Sequence, residues 1–456
     1  MQRILISDTP NFTNKKVKVS GFVDVRRDHG KIIFIDLKDI SGVLQIVFTP
    51  QQEETYKLAQ TLGSEWVVSI EGNISERPEK LINQKLLTGK VELQAEKLEV
   101  LSKAETLPFD LKDLNVSLPT LLDFRPLTLR NEKIKAIFKI QEQVIISFRN
   151  ALKDLGFTEF QSPTIVPASA EGGSEVFHID YYDYDAYLAQ SPQFYKQILV
   201  GVFEKVFTVT RVFRAEPSVT TRHLSEFTGL DAEFGFIDSW EDIMDTCEKV
   251  VKRIFSDLEL NCKKELELYN VKLPEIGEKI PHIKMREVQQ IIFERTKRDN
   301  RKEMDLQPDD EKEICVWAKE KHNSDFVFVT HYPTKKRPFY TLADPENPEY
   351  TLSFDLLCSG VELVSGGQRV NNYEALKKNI EKWGNKIEGF DFYLQSFKYG
   401  MPPEGGFGMG AERIVKQILN LENLREATLF PRDMERIDQR LSVLQPDKKK
   451  KEEKKK

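Results

Sequence analysis

The stretch Phe213-Arg214-Ala215-Glu216, followed by Arg222-His223-Leu224 and Phe227, combines residue types suited to a nucleoside triphosphate. The guanidinium of Arg214 is permanently charged and forked, the geometry for bidentate contact with phosphate oxygens. Glu216 can accept a hydrogen bond from an adenine amino group. Arg222 and His223 add donors for a phosphate tail, with Leu224 next in line, and Phe227 offers a face to a purine. Taken alone, the segment also reads as a charged surface hairpin, because motifs this short recur by chance.

A second segment, Gly405-Gly406-Phe407-Gly408-Met409-Gly410-Ala411-Glu412-Arg413, opens an apolar run at helical spacing from Ile414 to Leu421. It reads as a glycine-rich strand and turn that delivers Arg413 at a helix start. Glycines such as Gly410 would let a ligand approach the backbone closely. Together with the Arg214 segment and a helix–strand unit over Phe138–Thr164, it resembles the three signature motifs of class II aminoacyl-tRNA synthetases.

The elements that would hold these residues fall into two groups. Residues 1–105 show short alternating strands (Val17–Arg26, Lys31–Asp39, Val43–Phe48, Trp66–Ile74) and a helical patch at Gln51–Leu62. This pattern suggests a five-stranded, all-β OB-fold barrel. Residues 106–130 are Pro- and Leu-rich and read as a hinge. From Asn131 an amphipathic helix carries Ile134, Ile137, Phe138, Ile140, Val144 and Ile145 on its apolar side. Strands and helices then alternate to about residue 440, with adjacent strands at Val206–Ala215 and Glu226–Phe236. An α+β domain with an antiparallel sheet flanked by helices is expected over 131–440, and a disordered lysine-rich tail over 441–456. That tail reads as a solvated end or as non-specific help in holding RNA.

A length of 456 residues gives room for two or three domains with substantial cores. The formal charge of −6 excludes a generic nucleic-acid coat, so RNA would have to meet local basic patches. Cys247, Cys262, Cys315 and Cys358 lie far apart without CxxC pairing, which excludes a disulfide framework and a cysteine zinc site. With no apolar stretch of membrane-spanning length and no secretory pattern at the start, a cytoplasmic protein is expected.

The middle of the chain carries Glu171-Gly172-Gly173, then Gln190-Ser191-Pro192-Gln193-Phe194-Tyr195-Lys196-Gln197, then Glu362-Leu363-Val364-Ser365-Gly366-Gly367-Gln368-Arg369. A substrate with a side-chain carboxylate needs cations in its pocket, because an unpaired buried charge is very costly. Lys196 and Arg369 are the candidates, with Glu171, Gln193 and Asp231 as acceptors for an ammonium. A helix-surface lysine and a structural ion pair are the bland alternatives for Lys196 and Arg369.

In order and spacing these segments, with Arg337-Pro338-Phe339-Tyr340, resemble the aspartyl-tRNA synthetases of archaeal and eukaryotic type over nearly all of residues 14–440. The resemblance implies activation of L-aspartate by ATP with Mg²⁺, transfer to tRNA(Asp), and a homodimer formed through Phe138–Pro163, with no membrane or DNA partner. It assigns Arg214 to the α-phosphate and the aspartate carboxylate, Arg413 with Arg222 or His223 to the outer phosphates, and Phe227 to adenine. Glu362 and Ser365 would ligate Mg²⁺ with Asp355 behind them, and Ser365 would also face aspartate. In the barrel, Phe34, Gln45 and Glu92 are implied for the anticodon, although Phe34 also reads as a core residue. Transfer to tRNA(Asn) as well stays open, since Gly21–Val25 lacks the tryptophan common in enzymes strict for tRNA(Asp).

Two departures stand out. Glu404 occupies a position where the family commonly has histidine, and Pro217-Ser218-Val219 replaces a usually polar loop. Asparaginyl-tRNA synthetases are the near alternative, matching less well at Tyr195-Lys196. An inactive RNA-binding paralogue is the alternative of another class; it would be expected to lack Arg214, Arg413 or Glu362, and all three are present.

Overall fold

Apolar residues at a period of two make the N-terminal strands half-buried ribbons. In the computed structural model, which describes residues 1–167, 176–216 and 220–443, they are β1 (Lys16–Asp28), β2 (Ile33–Asp39), β3 (Gly42–Phe48), β4 (Val67–Glu76) and β5 (Val91–Ser102). They close into a barrel in the order β1-β2-β3-β5-β4, so no strand edge is left open. Val19, Ile33, Ile35, Leu37, Ile46 and Ile70 fill its interior, and α1 (Glu53–Gln60) packs Tyr56 and Ala59 against it. This unit spans Met1–Asp110; the second spans Leu111–Lys456.

The segment expected as a hinge belongs to the second unit from Leu111 onward. Ser117 caps α2 (Leu118–Asp123), whose first turn holds a proline, and α3 (Arg125–Thr128) follows. Arg125 is buried and donates from Nε to the Leu429 carbonyl at 2.8 Å and from Nη2 to those of Thr428 and Glu426 at 2.7 and 3.1 Å. A buried guanidinium satisfied by three carbonyls fastens this stretch to the far end of the domain.

Asn131 accepts from the amides of Lys133 and Ile134 and so starts α4 (Glu132–Asp154). There follow β6 (Thr158–Glu159), β7 (Ile165–Val166), β8 (His178–Tyr181), β9 (Tyr184–Leu188) and α5 (Gln193–Phe203). Next come β10 (Lys205–Phe213), β11 (Glu226–Gly235), α6 (Glu241–Asn261), α7 (Lys263–Tyr269), β12 (His282–Lys284), α8 (Met285–Thr296) and α9 (Pro308–His322). The chain continues through β13 (Phe326–Thr330), β14 (Ser353–Cys358), β15 (Val361–Gln368), α10 (Tyr373–Lys382), α11 (Asp391–Lys398), β16 (Glu404–Gly410) and α12 (Ala411–Leu419).

Eight strands form one sheet in the order β12-β13-β14-β15-β16-β11-β10-β6. Its six central strands are antiparallel as expected, whereas β12 and β6 join the edges in parallel. Strand alternation sorts the residues: Leu230, Ala232 and Phe234 of β11 and Phe407 and Met409 of β16 enter the core under α4, α6 and α12. Asp231 and Glu233 therefore face the opposite way. No helix among the described residues is long and apolar enough to cross a membrane.

Replacing Arg125 by alanine should strand its carbonyl acceptors and lower stability by about 2–4 kcal/mol. Thermal unfolding checks this; an unchanged midpoint would mean that the segment is not fastened there.

Candidate functional site

Three residues of α5, Gln193, Lys196 and Gln197, share one helix face and are all buried. Lys196 Nζ lies 3.0 Å from Asp231 Oδ1 and 3.0 Å from Glu233 Oε2. Across the sheet, Arg369 Nε donates to Glu233 Oε1 at 2.7 Å. The surface-lysine reading is thereby excluded. Arg369 is an ion pair and also a wall residue of the cleft, and its Nη1 makes no hydrogen bond among the described residues. Burial works against the Lys196 ammonium, but Glu233 and then Asp231 hold its pKa above the ordinary lysine value. Burial likewise works against the Glu233 carboxylate, which Arg369 and Lys196 nevertheless keep below its usual range.

The glycines of β16 make this cluster possible in a way the sequence did not reveal. A Cβ on Gly406 would stand 2.1 Å from Glu233 Oε2, and one on Gly408 2.9 Å from Asp231 Oδ1. At these positions glycine makes room for the protein's own carboxylates. Gln193 donates from Nε2 to Gln197, so its own Oε1 remains available as an acceptor.

A cleft of about 630 Å³ joins this cluster to the residues read as nucleotide-binding, and every one of those from Arg214 to Arg413 lines it. The Arg214 guanidinium stands over the Phe227 ring at 5.3 Å and lies 3.8 Å from Glu216. His223 Nε2 is 3.2 Å from the other Glu216 oxygen. Arg413, in the first turn of α12, donates to the Glu362 carbonyl at 3.1 Å and approaches its carboxylate at 3.4 Å. Glu171 and Pro217-Ser218-Val219 lie outside the described residues, as does the tail beyond residue 443.

The expected metal ligands are arranged differently from one another. Glu362 and Ser365 are on the cleft wall, whereas Asp355 lies behind it, buried. Arg337 takes up both Ser365 and Asp355, donating to Ser365 Oγ at 3.1 Å and Asp355 Oδ2 at 2.7 Å. No three His, Cys, Asp or Glu among the described residues form a metal-holding group. What remains is the Glu362 carboxylate, the Ser365 hydroxyl and Asp355 Oδ1, which is sealed from solvent without a donor. This partial set of hard oxygens fits a divalent cation only when a ligand's own oxygens complete the shell.

Sequence reasoning assigned no role to Arg337, Glu233 or Glu412, although each lies inside a quoted segment or adjoins a named residue. Glu412 accepts from the Thr228 amide and hydroxyl, tying β11 to α12. Glu311, in the first turn of α9, is far from every motif, and only the fold brings it near Glu362 and Arg222. Burial first and the Glu362 charge second push its carboxyl up to about 7.

In the barrel, Phe34 falls between the fully buried Ile33 and Ile35 and so projects outward, stacked edge-on with His29 at 5.6 Å. The core reading of Phe34 is corrected. On the same outer face Gln45 donates to Glu92 at 2.8 Å, and Arg77 donates to Gln45 at 3.3 Å.

An OB barrel and an antiparallel sheet whose cleft joins a buried ion cluster to a row of arginines together define a class II tRNA synthetase. The chain belongs to the family of class II tRNA synthetases (D, K and N), matched over residues 117–434, and residues 17–101 match the OB-fold nucleic acid binding domain. It is 42% identical to the aspartate–tRNA(Asp/Asn) ligase of Aeropyrum pernix, covering 95% of this chain and 98% of that protein. It is 38% identical to the aspartate–tRNA(Asp) ligase of Pyrococcus furiosus, covering 94% and 97%. The asparaginyl-tRNA synthetase of Pyrococcus horikoshii, solved with asparaginyl-adenylate, superposes with a TM-score of 0.86 at 32% identity, covering 96% of this chain and 99% of that one.

Replacing Lys196 by methionine would leave Asp231 and Glu233 buried without their shared cation, a change expected to cost about 3–5 kcal/mol. Denaturant unfolding measures it; a variant as stable as the parent would mean that the cluster is not ion-paired.

Proposed function

We propose that this chain is an aspartate–tRNA ligase that activates L-aspartate with ATP and transfers it to the 3′ end of tRNA(Asp). The observation that carries this reading is the pairing, within one cleft, of the Lys196–Arg369 cation pair with Arg214, Phe227 and Arg413. The uncommitted Nη1 of Arg369 suits a side-chain carboxylate, which is why aspartate is favoured over the neutral amide of asparagine. Gln193 and Asp231 supply acceptors for the substrate ammonium, with Glu171 and Ser365 as further contacts.

In the first step the aspartate α-carboxylate attacks the α-phosphorus of ATP, releasing pyrophosphate. Positioning and charge neutralisation govern such a step more than any protein nucleophile does. Arg214 holds the α-phosphate beside the attacking carboxylate. Arg413, with Arg222 and His223, holds the outer phosphates. Phe227 stacks on adenine, Glu216 accepts from its amino group, and Leu224 and Gly410 close the pocket. Glu362 and Ser365, with Asp355 behind them, would hold Mg²⁺, which neutralises phosphate charge when bound. In the second step the 3′ hydroxyl of the tRNA's terminal adenosine attacks the aspartyl carbonyl of the aspartyl-adenylate, taking the aspartyl group and releasing AMP.

On the barrel, Phe34 offers a ring to an unpaired base, and Gln45 and Glu92 offer hydrogen-bonding groups to base edges. We further read the enzyme as a cytoplasmic homodimer that also accepts tRNA(Asn). The name of the Aeropyrum relative and the lack of a tryptophan in Gly21–Val25 support that relaxed specificity.

Arg214→Ala should abolish aspartate-dependent ATP–pyrophosphate exchange while leaving tRNA binding largely intact; unaltered exchange would remove Arg214 from the site. Charging of purified tRNA(Asp) and tRNA(Asn) side by side tests specificity. Aspartylation of both is expected, and charging of tRNA(Asp) alone would overturn the relaxed reading.

A further inference from the structure

Behind the Lys196–Arg369 cluster lies a third carboxyl. Glu404, the first residue of β16, is fully buried and forms no part of the cleft wall. Its carbonyl accepts from the Arg369 amide at 2.9 Å, so its backbone already holds the cation's strand end.

The surrounding hydrogen bonds fix how its side chain is used. Gln197 Oε1 accepts from Gln193 Nε2 at 2.9 Å and from the Tyr393 hydroxyl at 2.9 Å. That orients the Gln197 amide, whose Nε2 donates to Glu404 Oε1 at 2.7 Å. The other oxygen, Oε2, is sealed from solvent and has no donor. In the β11–β16 register Glu233 stands opposite Gly406 and Gly235 opposite Glu404, so the Glu404 side chain shares the face of Glu233 with only a glycine beside it, and two neighbouring carboxyls in a sealed site do not both ionise. Glu233 holds both cations, so the proton belongs on Glu404. Burial first and the Glu233 charge second push the Glu404 carboxyl well above the usual range, against the pull of Gln197 and Arg369.

We propose that Glu404 is a positioning residue kept as a neutral acid, donating its Oε2–H to Glu233 and thereby setting Lys196 and Arg369 for the substrate's side-chain carboxylate. The inference rests on the aspartate reading above. The charged and titratable groups facing Glu404 are Glu233 of β11, Arg369 beyond β15 and Tyr393 of α11, with Tyr340 beside the last two; Lys196 of α5 and Asp231 follow beyond Glu233. With Glu404 neutral, two cations face two carboxylates. With it ionised, a third carboxylate would leave the pocket net negative and repel an anionic substrate. Glutamine can reproduce both hydrogen bonds, taking one from Gln197 and giving one to Glu233, whereas leucine can make neither.

The test is aspartate-dependent ATP–pyrophosphate exchange by the full chain carrying Glu404→Gln or Glu404→Leu. Loss of a buried hydrogen bond to a charged group should raise the aspartate KM of the leucine variant about 10–100-fold. The ATP KM and kcat should move far less, and the glutamine variant should rescue most of the aspartate KM. A glutamine variant as impaired as the leucine one would show that an ionised group is needed and would overturn the proposal. So would a leucine variant with unchanged aspartate KM. If the leucine variant does not fold, the glutamine variant decides against the parent: an aspartate KM near the parent's is expected, and a rise of about tenfold or more would overturn the proposal. A parent chain inert with aspartate would sink the substrate reading itself, and the proposal with it, before any variant is compared.

Discussion

Two cations and two carboxylates held out of water where α5, β11 and the end of β15 meet constrain everything near them. Ions in such a place must be mutually satisfied, because each one left alone costs several kcal/mol. Lys196 bridges Asp231 and Glu233, and Arg369 closes the far side of Glu233. Room for them exists only because β16 presents glycine at positions 406 and 408. The position of this end of the cleft is a consequence of that packing.

The sheet lets the cluster coexist with a dry hydrophobic core. Alternation in β11 sends Leu230, Ala232 and Phe234 under the helices and Asp231 and Glu233 to the other side. In β14, Phe354 and Leu356 enter the core while Asp355 meets Arg337. One strand thus carries both stability and chemistry, and a slip of register by one residue would exchange them. The barrel uses the same device, with Ile33 and Ile35 inside and Phe34 outside.

The end of the cleft lined by Arg214, His223 and Arg413 is looser. Arg214, His223 and Arg413 are each partly exposed and pair with Glu216 or Glu362 on the cleft wall. Such pairs at a solvated wall are weak and exchangeable. In the proposed reaction, residues that would release a phosphate-bearing product are suited by that, whereas those that would recognise one side chain are suited by rigid burial.

The sequence by itself determined that an all-β barrel precedes an α+β domain, and it picked out the charged residues from Arg214 to Arg413 that the fold gathers on one cleft. Those features rest on local signals: period-two alternation, the Asn131 cap, glycine clusters, and arginines at motif spacing. It left open whether Phe34 was core or surface and whether Lys196 was buried, and it gave no sign that the chain packs with the second unit from Leu111 onward. Arg125 shows why, since its carbonyl partners lie some three hundred residues away. Only the tertiary structure decided the burial of Lys196, the grip of Arg337 on Ser365 and Asp355, and the placing of Glu404 behind Glu233. Each depends on side chains from strands and helices distant in sequence, and desolvation of a charge is a property of the assembled surroundings and not of any short stretch of chain.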